Sequence, residues 1–408
     1  MIIPNEVIFI INELEKHNFE AYMVGGCVRD MIMNRIPNDW DITTNATPKD
    51  MKKIFLRTYD TGISHGTLTV IVNEQHFEVT TYRVENEYID FRRPANVAFV
   101  DDITLDLSRR DFTINAIAYH PIRKFIDPYD GIYDIKNHKI RSVRNANERF
   151  SEDALRILRA IRFSAQLDFD IDANTIYGIQ NKKYLLAHIS KERIRDEFNK
   201  IMLSSNVGII LKMNELGLLN FVAEKIELII TTHSEIINII QSMPAKIIPR
   251  YLALLHALIR IEKADSLENN YFFASKVAKK VLQSLKFDNY TIKQIEITIR
   301  YFFDDLNIDD IQIKKLLRDI GVDNFDYILQ IKRHTSSSKL LEEIIYKKER
   351  IINNNECYTL KNLAITGKDI SQFAMGKQIG DDLEKALEYV MKHPDKNDVT
   401  TLLKYLYG

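Results

Sequence analysis

The chain has 408 residues, with 56 basic and 57 acidic side chains and a formal net charge of −1, so no global charge pulls it toward nucleic acid. Apolar residues make up 45% and charged residues 28%, which excludes a disordered chain, and no apolar run reaches the roughly 18 residues of a membrane span. Gly and Pro together are about 5% of the chain, against roughly 12% in average usage, which favours long helices over a β-sandwich or barrel. Two cysteines, Cys27 and Cys357, cannot build a disulfide framework, and no Cys/His cluster has zinc spacing. With no basic-then-apolar leader at the N-terminus, a soluble cytoplasmic protein is expected.

The first 140 residues alternate helix and strand signals. Val7, Ile10, Ile11 and Leu14 form a helical stripe within Asn5 to Lys16. Ala21 to Val24 reads as a short strand stopped by Gly25-Gly26. Thr47-Pro48 starts a helix, with Thr as cap and Pro at the first helical position. Leu68 to Val72 and His76 to Tyr82 read as a hairpin. From Phe150 onward the pattern is helical nearly everywhere. Ser151 and Ser190 read as N-caps, each followed by an acidic first turn. The expected fold is an α+β head to about residue 141, followed by an all-helical remainder. Within the latter, Ala274 to Arg300 carries six basic groups against two acidic ones, a local excess that matters only if the partner is a polyanion.

One constellation in the head carries chemistry. A strand ending in Gly25-Gly26 just before a helix lets backbone amides approach a phosphate, and Arg29 adds a cation. The spacing is neither a Walker loop nor a Rossmann fingerprint. Asp39 and Asp41 lie one residue apart, and on a strand both carboxylates share a face. Like charges that close call for a cation, with Mg²⁺ the usual hard-oxygen choice. Glu78, a lone charge between apolar neighbours, is expected as the third carboxylate. Three acids beside a glycine turn describe a metal-dependent phosphoryl transfer site.

Gly25-Gly26-x-x-Arg29-Asp30 with Asp39-x-Asp41 resembles the signature of the polymerase-β-like nucleotidyltransferases, and more narrowly the class II tRNA nucleotidyltransferases and their poly(A) polymerase relatives. Further blocks follow in family order: Glu78 to Arg83, Tyr88 to Pro94, Arg109 to Ala116, Asp127 to Arg141, Glu152 to Phe163 and Ser190 to Arg193. The resemblance implies a mixed-sheet nucleotidyltransferase head over residues 1–141, a helical neck with a nucleotide-selecting helix over 142–200, a helical body over 201–290 and a tRNA-binding helical tail over 291–408. It implies template-independent addition of C, C and A to the 3′ end of tRNA from CTP and ATP, with Mg²⁺ and without a membrane or protein partner. Asp39 and Asp41 would hold the metal, and Glu78 would help activate the tRNA 3′-hydroxyl. Arg110, Asp111 and Asn115 would hold the triphosphate and sugar, and Arg159 and Arg162 would neutralise further phosphate charge.

Glu152 to Phe163 reads as one helix with Asp153, Arg156 and Arg159 on neighbouring parts of a face. An Asp–Arg pair accepts from an amine and donates to a ring acceptor, so it suits the Watson–Crick edges of C and A and repels G and U. The resemblance maps this protein template onto Asp153 and Arg156. Val84 to Ile103, with Tyr88, Asp90 and Arg92-Arg93-Pro94, matches the segment associated with the switch from C to A addition. The rival readings are a poly(A) polymerase, a CC- or A-restricted enzyme, and a catalytically idle RNA-binding relative.

Overall fold

A computed structural model describes residues 3–89, 93–261, 270–303, 305–335 and 339–408. The chain divides into two compact units, Met1–Glu227 and Leu228–Gly408. The first opens with α1 (Asn5–Lys16), which buries the expected stripe of Val7, Ile10, Ile11 and Leu14. Its sheet has the order β3-β4-β5-β2-β1-β8-β9. These strands are β1 (Ala21–Val24), β2 (Ile42–Thr44), β3 (Thr58–Gly62), β4 (Thr67–Val72), β5 (Gln75–Thr81), β8 (Ala118–His120) and β9 (Lys124–Ile126). The β2–β5 pair is parallel and the others antiparallel, so the sheet is mixed, as expected. A separate antiparallel hairpin pairs β6 (Arg83–Ile89) with β7 (Arg93–Phe99). Asp90 and Arg92, expected in the C-to-A switching segment, lie outside the described residues.

Short helices frame the sheet: α2 (Gly26–Ile32), α3 (Pro48–Ile54), α4 (Ile103–Ser108) and α5 (Gly131–Lys136). Thr47 caps α3 by accepting the Asp50 amide, with Pro48 at the first helical position. After residue 141 come α6 (Ala146–Glu152), α7 (Leu155–Leu167), α8 (Ala173–Lys182) and α9 (Lys191–Met202). These helices share the first unit with the sheet, joined through a parallel pairing of Lys139–Ile140 with Asp170–Ile171 and a bridge from Phe112 to Ser142.

Two local expectations fail here. The helix expected from Glu152 to Phe163 is broken at Asp153, whose extended backbone (φ −134, ψ 103) ends α6. Its carboxylate then accepts the Leu155 amide at 3.1 Å, so one acid stops one helix and steadies the start of the next. Ser151 therefore lies in the last turn of α6, and the N-cap is Asn145, which accepts the Asn147 amide at 2.9 Å.

The described residues of the second unit are helical, without a strand. Its basic stretch becomes two packed helices, Asn270–Ser284 and Asn289–Arg300. Part of that charge is engaged internally: Lys279 pairs with Glu296 at 2.9 Å, while Lys276 and Arg300 lie over the Phe272 ring. Lys280, Lys286 and Lys293 are exposed.

Candidate active site

The turn after β1 fixes the floor of the site. Gly25 takes a left-handed φ of +80, and a Cβ there would meet Arg110 Nη1 at 3.0 Å and Asp41 Oδ2 at 4.0 Å. The missing side chain thus makes room for a guanidinium and a carboxylate to approach the same backbone. α2 follows directly, and no side chain caps its first amides.

Asp39 and Asp41 do not lie on a strand, contrary to the reading of their spacing. Asp39 sits in a bend and Asp41 immediately before β2. What brings Asp41 to the site is its carbonyl, which accepts the Val24 amide at 3.0 Å and so clips it to the end of β1. Glu78 is likewise not a lone charge in an apolar setting. Phe77 and Val79 point to the buried face, so ordinary alternation puts Glu78 on the exposed one. The parallel register of Ile42 with Val79 still brings Asp41, just before β2, beside Glu78 on β5, and the Glu78 charge acts on the Asp41 carboxyl. Although Asp41 is exposed as a residue, desolvation by the surrounding walls raises its carboxyl above the ordinary value. Arg110 opposes that shift, and the charges of Glu78 and Asp39 add to it.

A cavity of about 830 Å³ opens above this floor. Every expected site residue except Glu78 lines it: Gly25, Gly26, Arg29, Asp39, Asp41, Arg110, Asp111, Asn115, Asp153, Arg156, Arg159 and Arg162. The wall also contains His65, Arg83, Arg109, Leu155, Phe163 and Arg193, so eight arginines face four aspartates. The lining thus gathers guanidinium donors of the kind that bind phosphate oxygens, although most of these arginines are also paired with acids in or behind the wall.

The arginines are held in place by one another's partners. Asp111 is buried and donates nothing. It accepts from Arg159 at 2.5 and 2.7 Å and from Asn115 Nδ2 at 3.2 Å. Burial alone would raise its carboxyl, but the charge and hydrogen bond of Arg159, then Arg156 and Asn115, hold it at about 2. Asn115 Oδ1 accepts from Arg29 Nη1 at 2.8 Å, which links the glycine turn to this network. Phe163 lies beneath Arg29, Arg159 and Arg162 at 5.4, 5.5 and 4.0 Å, and its ring face supports all three cations. Arg162 is nearly buried and paired with the buried Glu197 at 2.6 Å, so its charge is already neutralised within the protein.

Of Asp153 and Arg156, expected to read the base together, the first lies in the break between α6 and α7 and the second on α7, and each is held by another partner. Asp153 accepts from Arg193 at 3.2 Å. Arg156 donates to Glu152 at 2.6 Å and to the carbonyls of Arg149 and Arg109. Both residues still line the cavity, each braced by a partner of opposite charge. Sequence reasoning missed Arg193 as a wall residue, although its position three after Ser190 was visible. It also missed Phe163, whose place on the cavity wall has no signal in the spacing.

Among the described residues, no three His, Cys, Asp or Glu side chains are set to hold a metal ion by themselves. Asp39 and Asp41 supply two hard oxygen donors; desolvation is the main cause of the raised Asp41 carboxyl, and a divalent cation would relieve both that and the smaller repulsion from Glu78 and Asp39. Two carboxylates completed by substrate phosphate oxygens are a common Mg²⁺ arrangement, so the donor set fits that ion.

Residues 21–141 match the family described as "Poly A polymerase head domain", residues 168–229 that described as "Probable RNA and SrmB- binding site of polymerase A", and residues 271–406 that described as "tRNA nucleotidyltransferase domain 2 putative". The CCA-adding enzyme of Enterococcus faecalis is 50% identical over 207 residues, 50% of this chain and 51% of that protein. That of Lactobacillus johnsonii is 49% identical over 192 residues, 47% of this chain and 48% of that protein. These alignments thus span about half the length of the curated relatives. Among solved structures, the Bacillus stearothermophilus CCA-adding enzyme in complex with CTP superposes with a TM-score of 0.79 at 26% identity, covering 99% of this chain and 98% of that one. The Thermotoga maritima CCA-adding enzyme complexed with tRNA shares the fold, with a TM-score of 0.67 at 20% identity over 98% and 94% of the two chains.

Proposed function

We propose that this chain is a class II tRNA nucleotidyltransferase that adds C, C and A in turn to the 3′ end of tRNA, using CTP and ATP and releasing pyrophosphate, a reading that the three family matches in chain order support. The observation that carries this reading is the pair Asp39 and Asp41 at the foot of an arginine-walled cavity, beside the Gly25-Gly26 turn. Asp39 and Asp41 would hold Mg²⁺ together with the triphosphate. When bound, that ion neutralises phosphate charge and eases loss of the 3′-hydroxyl proton. Arg29, Arg110 and Arg159 then orient the triphosphate, with Asp111 and Asn115 keeping two of them in position. Glu78, next to Asp41, assists removal of the proton from the tRNA 3′-oxygen. That oxygen bonds to the α-phosphorus as the bond to the β-phosphate oxygen breaks, and pyrophosphate leaves. Asp153 and Arg156 read the incoming base, Asp153 accepting the exocyclic amine that C and A share.

In this reading residues 1–141 form the catalytic head, 142–200 the neck, 201–290 the body and 291–408 a tail that holds tRNA, in the cytoplasm. No described helix is long and apolar enough to cross a membrane. The test is pyrophosphate release from CTP in the presence of tRNA lacking its terminal CCA. Asp41→Ala abolishes release while tRNA binding is retained; turnover unchanged in Asp41→Ala would refute the assignment.

A further inference from the structure

Asp106 is a fully buried carboxylate on α4. Its Oδ1 accepts from Arg109 Nε at 2.9 Å and from the Arg83 amide at 3.3 Å, and its Oδ2 accepts from Arg110 Nη2 at 3.4 Å. Burial raises this carboxyl, and the charges of Arg109 and Arg110 outweigh burial, so it stays ionised. Arg110 is held by little else. Its Nε is buried without a hydrogen-bond partner, and its contact with Asp106 is long. Its Nη1 lies 3.0 Å from the point that a Gly25 Cβ would occupy, and Asp41 Oδ2 lies 4.0 Å from the same point. Two carboxylates thus bear on Arg110: the buried Asp106 and the open Asp41, whose carboxyl the Arg110 charge lowers. It is paired with the buried one.

We propose that Asp106 is a positioning residue that keeps the Arg110 guanidinium off Asp41. Asp41 is thereby left free for a divalent cation, and the outward edge of Arg110 for the triphosphate. This rests on the reading of Asp39 and Asp41 as metal-holding residues. Neutralising Asp106 removes the carboxylate with which Arg110 is paired, and because the Arg110 charge already acts on Asp41, an ion pair formed there competes directly with the cation. The same carboxylate takes the first amide of β6, so the support of Arg110 is fastened to the root of the β6–β7 hairpin.

The test measures Mn²⁺ binding to the full chain without nucleotide, by electron paramagnetic resonance of free Mn²⁺. The variants are Asp106→Asn, Arg110→Ala, the double variant and Asp41→Ala. Asp106→Asn weakens Mn²⁺ binding about tenfold, a scale set by close charge pairs, and the same change in the Arg110→Ala background weakens it hardly at all. An equal loss in both backgrounds, or no loss in either, overturns the proposal. If Asp106→Asn does not fold, Arg110→Ala alone decides: Mn²⁺ affinity held or tightened supports the proposal, and weakened affinity overturns it. Mn²⁺ binding that survives Asp41→Ala removes the metal reading, and this proposal with it. Binding lost in Asp41→Ala but untouched by Asp106→Asn overturns this proposal alone.

Discussion

Gly25 carries two constraints at once, a left-handed φ and a guanidinium 3.0 Å from its missing Cβ. Gly25→Ala pays the steric cost of that backbone (φ +80, ψ −130), roughly 1–3 kcal/mol. It also pushes Arg110 aside, so the expected outcome is a raised KM for CTP together with a lower melting temperature. A raised KM with an unchanged melting temperature would mean that the backbone is not strained. Asp111 gives a pH signature. Its folded-state carboxyl sits at about 2, below its ordinary value, so its contribution is fully present above the ordinary carboxylate range and is lost as pH falls toward 2. That shift corresponds to roughly 2 kcal/mol at neutral pH. Denaturant unfolding should show Asp111→Asn less stable than the parent at pH 7, with the gap closing between pH 4 and 2. A gap independent of pH would contradict the ionised pairing with Arg159. At this scale the grouping was legible: the Gly-Gly turn and the Asp-x-Asp pair line one cavity, although the strand inferred from the Asp spacing is absent. Phe163 was not, since an aromatic residue that supports three arginines looks in sequence like any core residue.

The elements place what the residues cannot place for themselves. Asp41 reaches the site through a clip to β1 and neighbours Glu78 through the parallel β2–β5 register, whereas the strand geometry inferred from the spacing is absent. A parallel pairing between strands more than thirty residues apart leaves no local mark in sequence, so that neighbour relation could not be read. The break at Asp153 was hidden for a different reason. Glu152 to Phe163 has good helical periodicity, and the interruption comes from one side chain capturing the Leu155 amide. Asp153→Asn keeps an acceptor for that amide but loses the charge facing Arg193, while Asp153→Ala loses both. Asp153→Ala is therefore expected to cost about 1 kcal/mol of stability and Asp153→Asn much less. Both should relax discrimination of CTP and ATP against GTP and UTP in single-nucleotide competition. Discrimination retained in both variants would remove Asp153 from base selection. At α5, a Cβ on Gly131 would lie 2.2 Å from the Thr113 carbonyl oxygen, a backbone atom that cannot swing away. Gly131→Ala should destabilise the first unit by about 1–3 kcal/mol in thermal melts, and an unchanged melt would contradict this packing.

Across the whole molecule, charge is sorted rather than surplus. A net charge of −1 coexists with a cavity lined by eight arginines and four aspartates, and with exposed Lys280 and Lys293 on the helices of the second unit. A head of strands and helices followed by a helical remainder was readable from periodicity and from the scarcity of Gly and Pro, whereas the mixed sheet was expected only from the family resemblance. The extent of the first unit, through Glu227, was not, because contacts between the sheet and α6–α9 are long-range. If the second unit grips tRNA through phosphates, Lys276→Ala/Lys280→Ala/Lys293→Ala should weaken binding and flatten its salt dependence by up to about three units of slope. An unchanged slope would assign the grip elsewhere. The most direct test of the central claim is the 3′-end sequence of tRNA transcripts ending before CCA, after C and after CC, incubated with CTP, ATP and Mg²⁺. The account predicts that all three converge on a single CCA terminus. Ends arrested at CC, or runs of A beyond one, would contradict it.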